Sequence, residues 1–130
     1  MIILSSCREN IQERDPLQLI DCNDDLCKSV LYDIYISKHN LDLKVQEGFS
    51  QEEEVIKYCL TTNSECGSRI YYSIRKLINK DSIRFKVLNE KYFIGNKQSF
   101  LDNAIKPSLT ATLESISNIE NDIYKICNCN

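Results

Sequence analysis

"SQEEEVIKYCLTTNSECGSRIYYSIRKLINK", residues 50 to 80, contains two helix starts in close succession, and reading both of them decides the fold. Ser50 and Glu53 form an S-x-x-E capping box, in which the hydroxyl accepts from a first-turn amide while the carboxylate reaches back to the cap amide. Thr62 and Glu65 repeat the pattern. Val55, Ile56, Cys59 and Leu60 follow the first box at helical spacing; Cys66, Ile70, Ile74, Leu77 and Ile78 follow the second. Two helices joined by so short a link must fold back as an αα-hairpin or bend sharply. The Glu52 to Glu54 run reads as first-turn charge that favours the helix dipole.

Upstream, Asp24 or Asp25 can cap a helix whose apolar stripe is Cys27, Val30, Leu31, Ile34 and Tyr35. Downstream, in residues 82 to 95, Ile83, Phe85 and Val87 alternate with Arg84, Lys86 and Leu88, and Asn89-Glu90 can turn the chain, so a short β-hairpin is predicted. Phe100, Leu101, Ala104 and Ile105 suggest a short helix ended by Lys106-Pro107. Pro107 suits the first turn of a last helix with Leu109, Leu113, Ile116, Ile119, Ile123 and Ile126 on its inner side. The expected fold is mainly α: a single domain over residues 16–130, of four to five helices with a short β-hairpin near 83–94, stapled by disulfides.

With 130 residues, 42% hydrophobic and 27% charged, the chain is large enough for one real core and is not of disordered composition. Only three Gly and two Pro argue against a turn-rich β-sandwich. Charge is unevenly spread. Residues 1 to 68 carry 6 Lys/Arg against 13 Asp/Glu, residues 69 to 97 carry 8 against 2, and residues 98 to 130 carry 2 against 4. A basic segment between acidic ones reads as internal pairing and solvated faces. No nucleic-acid partner is expected, because phosphate-backbone binders usually carry a domain-wide positive excess.

Leu4-Ser5-Ser6-Cys7 resembles the lipobox of bacterial lipoproteins, in which a small residue precedes the cysteine whose thiol is acylated. The resemblance covers four residues. It implies lipidation at Cys7, residues 1–15 as signal remnant and tether, and a periplasmic or cell-envelope location with the membrane contacted through a lipid anchor only.

With Cys7 set aside, six cysteines remain: Cys22, Cys27, Cys59, Cys66, Cys127 and Cys129. Their spacings, C-x4-C, C-x6-C and C-x-C with a lone His39, do not match a zinc site, so no metal is expected. Cys59 and Cys66 lie at the end of one helical pattern and the start of the next, and can staple that turn. Cysteines separated by one residue bridge each other poorly. Cys22 and Cys27 are therefore expected to bond Cys127 and Cys129, in an order left open.

Enzyme signatures are lacking: the chain has no G-x-S-x-G, Gly-rich phosphate loop, H-E-x-x-H or EF-hand pattern, and no catalytic residue or cofactor is assigned. His39 reads as a helix-end residue, and Asp21, Asp24 and Asp25 as a cap and surface loop. Tyrosine is favoured at interfaces, because its ring buries area while its hydroxyl still hydrogen-bonds. The helix from Cys66 to Ile78, with Arg69, Tyr72, Arg75 and Lys76 away from Ile70 and Ile74, is the expected surface for an unidentified protein partner. The leading expectation is a lipid-anchored, disulfide-stabilised helical binding protein of the cell envelope, of the inhibitor, immunity or assembly-factor type. The alternative is a cytosolic or viral helical interaction protein with reduced thiols.

Overall fold

In a computed structural model of the protein, residues 19–46, 52–61, 64 and 66–130 are described. They form six helices: α1 (Asp25–Gln46), α2 (Glu52–Leu60), α3 (Gly67–Lys80), α4 (Lys86–Tyr92), α5 (Lys97–Ala104) and α6 (Leu109–Cys127). The lipobox residues, Ser50 and the Thr62–Glu65 box lie outside the described residues.

Asp24 is the cap that starts α1. Its carboxylate accepts from the amides of Leu26 (2.9 Å) and Cys27 (3.1 Å). Cys27, Val30, Leu31, Ile34 and Leu41 are buried, whereas Tyr35, expected on the same stripe, is 39% exposed and stacks on His39. Ser37 takes the inward place instead, its hydroxyl satisfied by the Asp33 carbonyl. The stripe thus stays with the small and branched side chains.

The α2–α3 turn is described at Thr61, Ser64 and Cys66. Helix α3 starts at Gly67 after Cys66, with no side-chain cap. Ser64, fully inside the turn, donates to the Cys59 carbonyl (3.0 Å) and accepts from the Ser68 amide (3.2 Å), so one hydroxyl serves the end of α2 and the start of α3. A Cβ on Gly67 would sit 2.6 Å from the Cys59 oxygen, which is why this close approach requires glycine. Cys59 and Cys66 bridge across the turn.

The β-hairpin is absent: the described residues contain no strand, and 83–94 build a turn that runs into α4. Phe85 and Leu88 are buried at helical spacing, and Phe93 closes the helix end from within the core. Ile83 and Val87, the apolar members of the supposed alternation, point to solvent at 87% and 57% exposure. A lone hairpin is marginal in water, and the 85/88 pair gains burial only in the helical register. The extra helix accounts for six where four to five were expected.

Pro107 precedes the cap of α6 instead of entering its first turn. Ser108 is the cap, accepting from the Ala111 amide at 3.1 Å. Ile116, Ile119 and Ile123 are fully buried, and the Thr112 hydroxyl, equally buried, accepts from the Lys106 amide and donates to its carbonyl. Helix α1 packs against both α3 and α6, forming the layer that carries the rest. Lys38 to Glu120 (2.7 Å) and Ser73 to Asp33 (2.7 Å) tie α1 to α6 and α3.

The segment before α1 meets the C-terminal residues. Asp21 and Asn130 exchange two backbone hydrogen bonds of 2.9 Å, and beside them Cys22 bridges Cys129 and Cys27 bridges Cys127. Asn128, in the left-handed region at φ 56°, ends α6 and turns the chain so that Cys127 and Cys129 face separate partners.

Two amide hydrogen bonds and the Arg84 guanidinium hold the Asp24 carboxyl below its ordinary pKa, the Cys27 amide being the strongest contributor. A carboxyl depressed by folding stabilises the native state above the unfolded-state pKa and loses that stabilisation as pH falls through the folded value. Asp24→Ala will therefore lower stability by about 1 kcal/mol at neutral pH and by progressively less as the pH falls below the ordinary aspartate range, as read from urea midpoints across that interval.

Candidate functional site

The four α3 residues expected to meet a partner do not form one surface. Tyr72 is 54% exposed and Lys76 is exposed, one turn apart on the outer side of α3. Arg69 instead leans toward α1, where its guanidinium lies 3.7 Å from the Asp33 carboxylate that also accepts from Ser73. Arg75 lies over the rings of Phe93 (4.9 Å) and Tyr71 (5.6 Å), covering the aromatic cluster between α3 and α5. Arg69 thus pairs across the α1–α3 contact and Arg75 covers aromatic rings.

The outer surface gains a residue that sequence spacing did not supply. Lys97, at the start of α5, places its ammonium 4.7 Å above the Tyr72 ring and 3.4 Å from the Tyr72 hydroxyl. Nothing in the local pattern around Lys97 links it to α3; only the packing of α5 on α3 brings it there. Tyr72, Lys76 and Lys97 together make an aromatic centre with two cations. Such a surface suits an acidic protein segment, because the ring gives apolar area and the lysines give charge complementarity.

A second feature is a cleft of about 520 Å³ where α4, α5 and α6 meet. Phe100, Ala104 and Ala111 give it an apolar lining, with Lys91, Lys106 and Glu114 among its polar groups. Beside it, Asp122 accepts from Lys91 (2.8 Å) and from the Tyr92 hydroxyl. Burial disfavours the Asp122 anion, yet these two donors outweigh it and hold its pKa below the ordinary value. The hydrogen bond to Asp122 raises Lys91, and burial followed by the same carboxylate raises Tyr92. Carboxylate ionised, amine and phenol protonated: at neutral pH this group is a fixed ion pair with a hydrogen-bonded hydroxyl, and none of the three is poised to exchange a proton.

The remaining candidates are structural where they are described. His39, expected at a helix end, lies within α1, which runs on to Gln46, and is exposed against Tyr35; Asp24 caps α1 and pairs with Arg84. Cys22, Cys27, Cys59, Cys66, Cys127 and Cys129 are all in bridges. Among the described residues no group of three or more His, Cys, Asp or Glu is arranged to hold a metal, and no helix is long and apolar enough to cross a membrane. Cys7 lies outside the described residues. No family model matches the chain, and comparison with curated proteins and with solved structures gives no significant match.

Proposed function

We propose that this chain is a small, disulfide-stapled helical binding protein of the bacterial cell envelope, anchored through lipid on Cys7, that acts on a protein partner by occluding or escorting it and not by catalysis. The observation that carries the reading is the pairing of six cysteines into three bridges, two of which clamp the start of α1 to the C-terminal residues. Such bridges fit an oxidising, extracytoplasmic environment. They also give a small domain the rigidity that a preorganised binding surface uses.

The contact surface in this reading is Tyr72, Lys76 and Lys97, with Arg69 and Arg75 fixing the helix that presents it. A photo-crosslinking amino acid placed at Tyr72 in intact cells is the direct test. We expect one dominant cross-linked envelope protein, lost when Lys76→Glu is added, and no such product from the same amino acid at Tyr35 on α1. An identical cross-linking pattern at both positions, or none at Tyr72, would remove the surface from the account. Metabolic labelling with a fatty acid tests the anchor: label must disappear in Cys7→Ser, and an unlabelled parent protein contradicts it.

A further inference from the structure

We propose that the outer face of α4 and of the turn before it is a self-association surface on which a second copy of the chain docks by two-fold symmetry. Ile83, Val87 and Ile94 form its apolar centre, and Lys80, Asp81, Lys86 and Glu90 its charged rim. The three aliphatic side chains are 87%, 57% and 73% exposed, and they account for half of the large hydrophobic residues exposed among the described residues. The Phe85 amide bonds the Asp81 carbonyl, the Asn89 amide the Phe85 carbonyl and the Phe93 amide the Asn89 carbonyl, so 81–93 run as one helical path. Ile83, Val87 and Glu90 recur at the spacing of a single helix face, and Ile94 continues that spacing just past the helix end at Phe93. Phe85 and Leu88 lock the opposite face into the core, so folding itself holds the aliphatics outward.

The rim selects the occupant. Lys80 and Asp81 are exposed where α3 gives way to the turn. The Lys86 and Glu90 side chains are 69% and 64% exposed, with only a 3.8 Å, solvent-screened contact between them. Arg84 and Lys91, the other cations of the segment, are neutralised by Asp24 and Asp122. The face therefore carries both signs and no net charge, so a partner of one sign gains nothing there. A two-fold interface brings a patch against itself and needs both signs around its own apolar centre, because each lysine can then meet a carboxylate of the other copy. An apolar centre inside a polar rim is also the usual anatomy of an association surface.

From residue 79 to 96 only Phe85, Leu88, Tyr92 and Phe93 are not exposed. One segment of that length supplies an interface at or below the roughly 800 Å² per subunit of a standard one, so the dimer is a weak one, with a dissociation constant on the order of 10 µM.

Sedimentation of the full chain as Cys7→Ser, with its three bridges formed, tests the proposal; the substitution removes any acyl group and any linkage through that thiol. The mass should rise from one chain toward two between about 1 and 200 µM. Ile83→Ser, Val87→Ser and Ile94→Ser together should weaken association by about tenfold or more while leaving the circular dichroism spectrum and thermal midpoint unchanged, since none of these side chains is buried. Lys80→Glu with Lys86→Glu makes the rim wholly acidic, and Asp81→Asn with Glu90→Lys makes it wholly basic. Each should be monomeric alone, and an equimolar mixture of the two should associate as the parent does, whichever lysine meets which carboxylate. A parent that stays monomeric, association unaltered by the triple substitution, or a mixture that stays monomeric overturns the proposal. Flotation of a monomeric parent on phosphatidylcholine vesicles overturns it too, and assigns the patch to a lipid surface.

Discussion

Removing both end bridges together, by Cys22→Ala, Cys27→Ala, Cys127→Ala and Cys129→Ala, will lower the folding stability by about 7 kcal/mol, whereas removing either bridge alone will cost only about 2 to 3 kcal/mol. The difference follows from their arrangement. Cys22–Cys129 and Cys27–Cys127 span 107 and 100 residues, which are almost the same loop. Either bridge alone closes that loop, for about 4.7 kcal/mol in the chain-entropy model; the second then closes only the small ring between the two, for about 2.5 kcal/mol. A total of that size approaches the whole stability of a typical domain, roughly 5 to 15 kcal/mol, so the quadruple variant will sit near the edge of folding. Urea midpoints of the two paired variants and the quadruple variant measure the effect. Equal and additive losses of about 4 to 5 kcal/mol from each bridge would show that the two do not share a loop.

Phe100→Ala will cost about 3 to 5 kcal/mol. The Phe100 ring is 1% exposed and lies 4.7 Å from the Phe93 ring and 5.6 Å from the Tyr71 ring. With Leu101 and Ala104 it holds α5 to the core, and it lines the cleft between α4, α5 and α6. Truncation leaves a cavity among residues that cannot close on it, because Phe93 is already fixed by Arg75 on its outer side. The loss should appear in the denaturation midpoint with the slope unchanged; a cost under about 1.5 kcal/mol would mean that the aromatic cluster collapses around the gap.

The parts of the fold legible in the sequence are those where one periodicity has no rival. The stripe of α3 from Cys66 to Ile78 and the 116, 119 and 123 isoleucines of α6 could face the core in only one way, and they do. Cysteine pairing was legible down to one ambiguity, because helix ends restrict which thiols can meet. The order of the two end bridges was not, since it depends on the left-handed turn at Asn128, whose residue type permits that turn without requiring it. The 83–94 segment misled because Ile83, Phe85 and Val87 satisfy a strand period while Phe85 and Leu88 satisfy a helical one. Only the three-dimensional core decides between them, by burying Phe85 and leaving Ile83 in water.

The geometry of the proposed contact surface follows from the sequence only in part. Tyr72 and Lys76 are where their helix phase puts them, but Arg69 is drawn to Asp33 and Arg75 to Phe93. Both partners lie on other segments, and no local spacing encodes such contacts. For the same reason Lys97, the cation over Tyr72, had no signal in the sequence.

Three specific bridges hold this helical domain, and peptide mapping of the unreduced protein by mass spectrometry can verify each of them. The six cysteines should escape alkylation under denaturing, non-reducing conditions, and digestion should yield Cys22 linked to Cys129, Cys27 to Cys127 and Cys59 to Cys66. Alkylation of all six without reductant, or linkage of Cys22 to Cys127 and Cys27 to Cys129, would contradict it.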